Sequence, residues 1–130
     1  MIYGSITFTK AHLDDPPSLK PDAITGKACA EWVITLLPEF GAPHDEMPTA
    51  EDWGYGVRVN IGPDTVLLGF ASAFDGVDRW RIIVGDNFTA GILPWTKTRR
   101  REAAMKLASF LDKRLAAAEG VSDVRLEDPD

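Results

Sequence analysis

Residues Trp53-Gly54-Tyr55-Gly56-Val57-Arg58-Val59-Asn60-Ile61 decide the fold of this chain. Trp53, Tyr55, Val57, Val59 and Ile61 alternate with Gly54, Gly56, Arg58 and Asn60. A period of two with one bulky and one lean face reads as a strand. Gly62-Pro63-Asp64 follows as a turn. Thr65 to Ala73 is apolar on both faces, as expected of a central buried strand. Asp75-Gly76, inside the segment Phe74 to Asp78, is a strong hairpin signal. Arg79 to Val84 resumes the alternation, with Trp80, Ile82 and Val84 on one side. Residues 52–85 therefore predict a three-stranded antiparallel meander.

Upstream, Ile2, Gly4, Ile6 and Phe8 alternate with Tyr3, Ser5, Thr7 and Thr9, a further strand. Ala11 to Pro21 carries Asp14-Asp15-Pro16-Pro17 and Lys20-Pro21 and reads as a loop. A first helix is expected from Asp22, a plausible N-cap, to Phe40-Gly41. Cys29, Val33, Leu36, Leu37 and Phe40 form its apolar stripe, and Pro38 threatens its last turn. Gly41 to Ala50, with two prolines, reads as a loop. Downstream, Asp86 to Trp95 fits either a short edge strand at Gly91-Ile92-Leu93 or a loop. Ala104, Leu107, Ala108, Leu111, Leu115 and Ala118 mark a second helix, with Thr98 as its expected N-cap and Gly120 just past its end. Val121 to Leu126 alternates as a last strand, and 127–130 form a tail expected to fray. The expected fold class is α+β, one domain with a small, mostly antiparallel sheet of about 4–5 strands and two amphipathic helices, in the order β-α-β-β-β-α-β.

The chain has 130 residues, 45% hydrophobic and 26% charged, the profile of one globular domain with a core of its own. Its net charge of −6 argues against general nucleic-acid binding, which needs a basic surface. The same charge suits a more basic protein partner. No apolar run approaches the ~20 residues needed to span a bilayer, so no membrane partner is expected. The N-terminal stretch lacks a basic leader and a signal-peptide core, and a cytoplasmic location is expected. The single cysteine, Cys29, falls on an apolar helix face and reads as a packed thiol.

Glu51-Asp52-Trp53-Gly54-Tyr55 opens a strand after a proline-containing loop. A hairpin over 65–84 and a helix over Ala103 to Ala118 follow, with Gly120-Val121-Ser122-Asp123-Val124-Arg125 after the helix. Over residues 51–126 this order resembles a loose group of short bacterial proteins of no known function. The resemblance implies the order of elements and a bacterial origin, and no activity.

Lys97-Thr98-Arg99-Arg100-Arg101 is the densest charge cluster. At a helix N-terminus these cations oppose the macrodipole, and an anion or acidic surface among free amides would offset that cost. Lys97, Arg99, Arg100 and Arg101, with Trp95 beside them, are the candidate binding residues. The competing reading is a basic turn paired with nearby acids. Trp53 and Trp80 are expected in the core, where cross-strand aromatics stabilise a sheet. Gly54 and Gly56 on the lean face could admit a ligand or lie beneath a helix. His44-Asp45-Glu46 does not make a metal site, because consecutive side chains rarely converge on one ion and His12 lies a helix away. Glu51-Asp52 and Asp75/Asp78 fit ordinary turn roles better than acid–base catalysis. No nucleophile elbow, phosphate loop, dinucleotide fingerprint or zinc pattern is present. No catalytic residue, metal or cofactor is therefore expected. The sequence points to a non-enzymatic module that binds a protein, of the inhibitor, immunity or anti-defence kind. A small-molecule or anion binder using 97–101 is the alternative, an enzyme of unrecognised class the second alternative, and a homodimer is compatible with either.

Overall fold

The computed structural model describes residues 2–13, 25–73, 76, 78–86 and 94–128. Six strands form one antiparallel sheet: β1 (Ile2–Lys10), β2 (Thr49–Glu51), β3 (Gly54–Ile61), β4 (Asp64–Ser72), β5 (Arg79–Gly85) and β6 (Val121–Glu127). Their order across the sheet is β2-β3-β4-β5-β1-β6. The expected meander is β3-β4-β5. β1 pairs with β5 and β6, so the chain's two ends close the sheet side by side. Two helices, α1 (Lys27–Ile34) and α2 (Pro94–Ala116), complete the α+β fold.

Directly opposed residues in a sheet share a face, so the strand register defines two faces. Tyr55, Phe70, Ile82 and Ile6 stand in one row, and Val57, Leu68, Val84 and Gly4 in the next. These residues join Cys29 and Val33 of α1 and Leu107, Leu111 and Leu115 of α2 in one buried core. Both helices thus cover the same face. α2 meets the turn that follows α1 through Phe110 and Phe40, ring centroids 5.2 Å apart, and through Arg114 donating to Glu39. Trp32 of α1 packs against Phe8, 6.1 Å between centroids.

The departures from expectation have local causes. The first helix stops at Ile34, because the ring of Pro38 collides with the Ile34 carbonyl in a continuous helix. The chain resumes as a 3₁₀ turn, Leu37–Phe40, closed by Gly41 at φ 84°. Gly26, at φ 110°, precedes the helix, where a Cβ would strike the Phe70 carbonyl. The expected cap Asp22 lies outside the described residues, as do Asp75 of the β4–β5 hairpin and Gly91-Ile92-Leu93. α2 begins at Pro94, a residue suited to the first helical position, so Thr98 is inside the helix and is not its N-cap. A short strand, β2, occupies part of the expected 41–50 loop and brings the strand count to six. β6 runs to Glu127, which pairs with Ser5. Among the described residues, no helix is long and apolar enough to cross a membrane.

Candidate binding face

The second face of the sheet carries no described helix. Its rows, read from the register, are Arg58-Leu67-Gly85-Ile2, Gly56-Gly69-Ile83-Ser5 and Ala71-Arg81-Thr7-Arg125. Trp53 belongs to this face. The expectation that it sits in the core fails, whereas Trp80 is buried as expected. Asp52 and Trp53 form the two-residue turn between β2 and β3, where Glu51 pairs with Gly54. Had β3 begun at Trp53, the indole would have shared the core side of Tyr55; the turn breaks the period and throws it to the opposite side. The benzo edge of its ring then points onto Gly69. A Cβ at Gly69 would sit 2.7 Å from Cη2 and 2.8 Å from Cζ3 of Trp53. The lean face thus admits a side chain from its own chain, over Gly69 and beside Gly56.

The indole covers its glycine and remains 47% exposed, and Ile2 is 51% exposed. With half-buried Leu67 and Ile83, they surround a hollow of about 280 Å³ floored by Gly69 and Gly85. On the other side of Trp53 and Leu67 lies a hollow of about 410 Å³, bounded by Glu51, Asp45 and Arg58. Asp45 is committed there: its carboxylate accepts from the Arg58 amide at 2.9 Å and from Nε at 3.2 Å.

The next row is polar. Arg79 donates to Thr9 Oγ1 at 3.1 Å and to the Asp123 carbonyl at 2.9 Å, and approaches Asp123 Oδ2 at 3.2 Å. Arg125 shares the same carboxylate, Nε to Oδ1 at 3.0 Å. Between them, Arg81 and Thr7 are opposed across β5 and β1. Thr7 is 2% exposed, and among the described residues neither its Oγ1 nor the buried Nε of Arg81 has a hydrogen-bond partner. A buried polar group left unpaired costs about 1–3 kcal/mol. This pair is therefore the least satisfied feature of the face.

The sheet edges are poorer docking sites than the face. β2 is three residues long. Residues 43–45 cover more of β3, with Asn60 donating to Pro43 and Asp45 to Arg58 across the backbone. β6 carries a register shift opposite Thr7/Thr9 and a left-handed Asp123, φ 52°. Short strands and bulges of this kind discourage strand addition.

The basic cluster divides into paired and exposed members. Arg99 clasps the buried Asp64 with Nε and NH2, at 2.9 and 3.0 Å, and Arg100 Nε lies 3.6 Å from the same carboxylate. The hydrogen bond to Asp64 raises the Arg99 pKa. Lys97 and Arg101 are exposed and, with Tyr3 and Thr98, border a hollow of about 230 Å³. Because α2 starts at Pro94, the amides of residues 98–101 lie beyond the three free donors that can head this helix. Trp95 lies in the first turn, and its side chain is outside the described residues. Nearby, Tyr3 donates to Asp86 at 2.6 Å. Burial, reinforced by the Asp86 hydrogen bond and charge, pushes the Tyr3 phenol up to about 12.

Cys29 is fully buried, as expected of a core thiol. His44 contacts the Asp45 carbonyl through Nδ1, and no group of three metal-ligating side chains occurs among the described residues. Sequence reading missed Arg81, Thr7, Asp64 and Tyr3, whose polar surroundings depend on residues distant in sequence. Comparison with protein-family models, curated proteins and solved structures finds no match for this chain.

Proposed function

We propose that this chain is a non-enzymatic protein-binding module, of the bacterial inhibitor or immunity kind, that neutralises a partner protein through the sheet face no described helix covers. One observation carries the reading: a half-exposed tryptophan lies with Ile2, Leu67 and Ile83 on a face that no described helix covers. Aromatic side chains ringed by apolar neighbours are the usual anchors of protein interfaces. The non-enzymatic part rests on the sequence, which carries no recognised catalytic motif. The anion-binding alternative has its hollow at Lys97 and Arg101. However, Arg99 and Arg100 face Asp64. The test is photocrosslinking in the cell of origin, with a photoreactive phenylalanine at Ile83 or, as a control, at Lys113 on the exposed side of α2. The reading expects a discrete adduct with another protein from position 83 and none from 113. No adduct from 83, or equal adducts from both, overturns it. An adduct of twice the chain's mass replaces it with a homodimer.

A further inference from the structure

We infer that the partner segment seated on this face is an extended acidic–apolar peptide, with a carboxylate over the Arg81 guanidinium and an apolar side chain in the hollow beside Trp53. The inference rests on the protein-binding reading and specifies its chemistry. Arg81 and Ile83 point to the same side of β5, two residues apart, about 7 Å along the strand. Gly69, beneath the indole, lies directly opposite Ile83, and Ala71 lies opposite Arg81. The apolar hollow and the guanidinium are therefore adjacent steps on one surface, matched to side chains two residues apart in an extended segment.

Charge decides which polar group completes that segment. The other arginines of the face are matched: Arg58 by Asp45, and Arg79 and Arg125 by Asp123. Arg81 has no ion pair among the described residues, and its Nε is buried without an acceptor. An acceptor with two oxygens suits a half-buried guanidinium, since a carboxylate takes paired donors from it. A cationic segment would meet Arg81 as a like charge. An apolar one would cover the guanidinium charge with no counter-charge. The chain's net charge of −6 sets its long-range field, whereas this patch sets the chemistry of contact.

The probe is a phage-displayed library of random twelve-residue peptides, panned on the immobilised full chain. Enriched peptides should carry Asp or Glu two residues from Leu, Ile, Val or Phe. A synthetic representative should lose at least tenfold in affinity when its acid is replaced by the amide. Arg81→Gln should cause a similar loss, and the two changes together little more than either alone. The amide peptide is measured on the native protein, so it decides the matter even if Arg81→Gln perturbs folding. Enriched peptides that lack acids yet lose binding on Trp53→Ala would overturn the acidic chemistry and leave the protein-binding face standing. No enrichment, or peptides indifferent to both Trp53→Ala and Arg81→Gln, would overturn both.

Discussion

Gly69→Ala should change sign with its neighbour. A Cβ on Gly69 falls 2.7 Å from Trp53 Cη2, so the indole must lift off the sheet. Trp53 is 47% exposed, and its ring buries roughly 130 Å² of the ~250 Å² such a side chain can bury. At ~25 cal/mol per Å² that is about 3 kcal/mol, an upper bound because denatured chains are already partly compact. Partial lifting should cost the otherwise native chain about 1–2 kcal/mol. In a Trp53→Ala background the obstruction is gone, since the next contact, Ile83 Cβ at 3.7 Å, is ordinary. There Gly69→Ala should stabilise by ~0.4–1 kcal/mol, because alanine restricts the unfolded chain. Urea denaturation followed by circular dichroism at all four corners of the cycle measures the coupling, which should exceed about 1 kcal/mol. Equal effects of Gly69→Ala in the two backgrounds would refute the placement of the indole.

Other outcomes follow from the core and the polar cluster. Leu107→Ala and Leu111→Ala should each destabilise by ~2–5 kcal/mol in denaturant melts, because both side chains are fully buried; losses under about half a kcal/mol would place them elsewhere. Cys29 should resist thiol reagents in the native protein and react on denaturation, whereas rapid native labelling would contradict its burial. Tyr3, held at about 12 against an ordinary 10.0, is protonated more tightly when folded. Its contribution to stability is complete below pH 10 and is lost as pH rises towards 12, a fall that Tyr3→Phe should remove from the pH–stability curve. Replacing Arg99, Arg100 and Arg101 together by glutamine should weaken the fold, since two of them face buried Asp64, while Arg101→Gln alone should stay within ~0.5 kcal/mol of the starting protein.

Periodicity made the meander and α2 legible, because strand alternation and the Ala104-Leu107-Ala108-Leu111-Leu115 stripe follow from burial on one side. It failed where a single residue breaks the period. Pro38 splits the expected first helix, and the turn at Asp52-Trp53 sends an apparent core tryptophan to the other face. The arginine cluster was visible as composition, but its partner was not. Asp64 reads as an ordinary turn residue after Gly62-Pro63, and only the packing of α2 beside β4 makes it a buried counter-charge. Arg81 and Thr7 meet through the pairing of β5 with β1, strands separated by most of the chain, so neither residue announces the other.

The most direct measurement is side-chain methyl NMR of the chain, free and bound to the protein that crosslinks to position 83. Methyl signals of Ile2, Leu67 and Ile83 should shift or broaden on binding, while those of Leu107 and Leu111 beneath α2 stay in place. Perturbation confined to residues around α2, with the methyls of Ile2, Leu67 and Ile83 unchanged, would contradict the account.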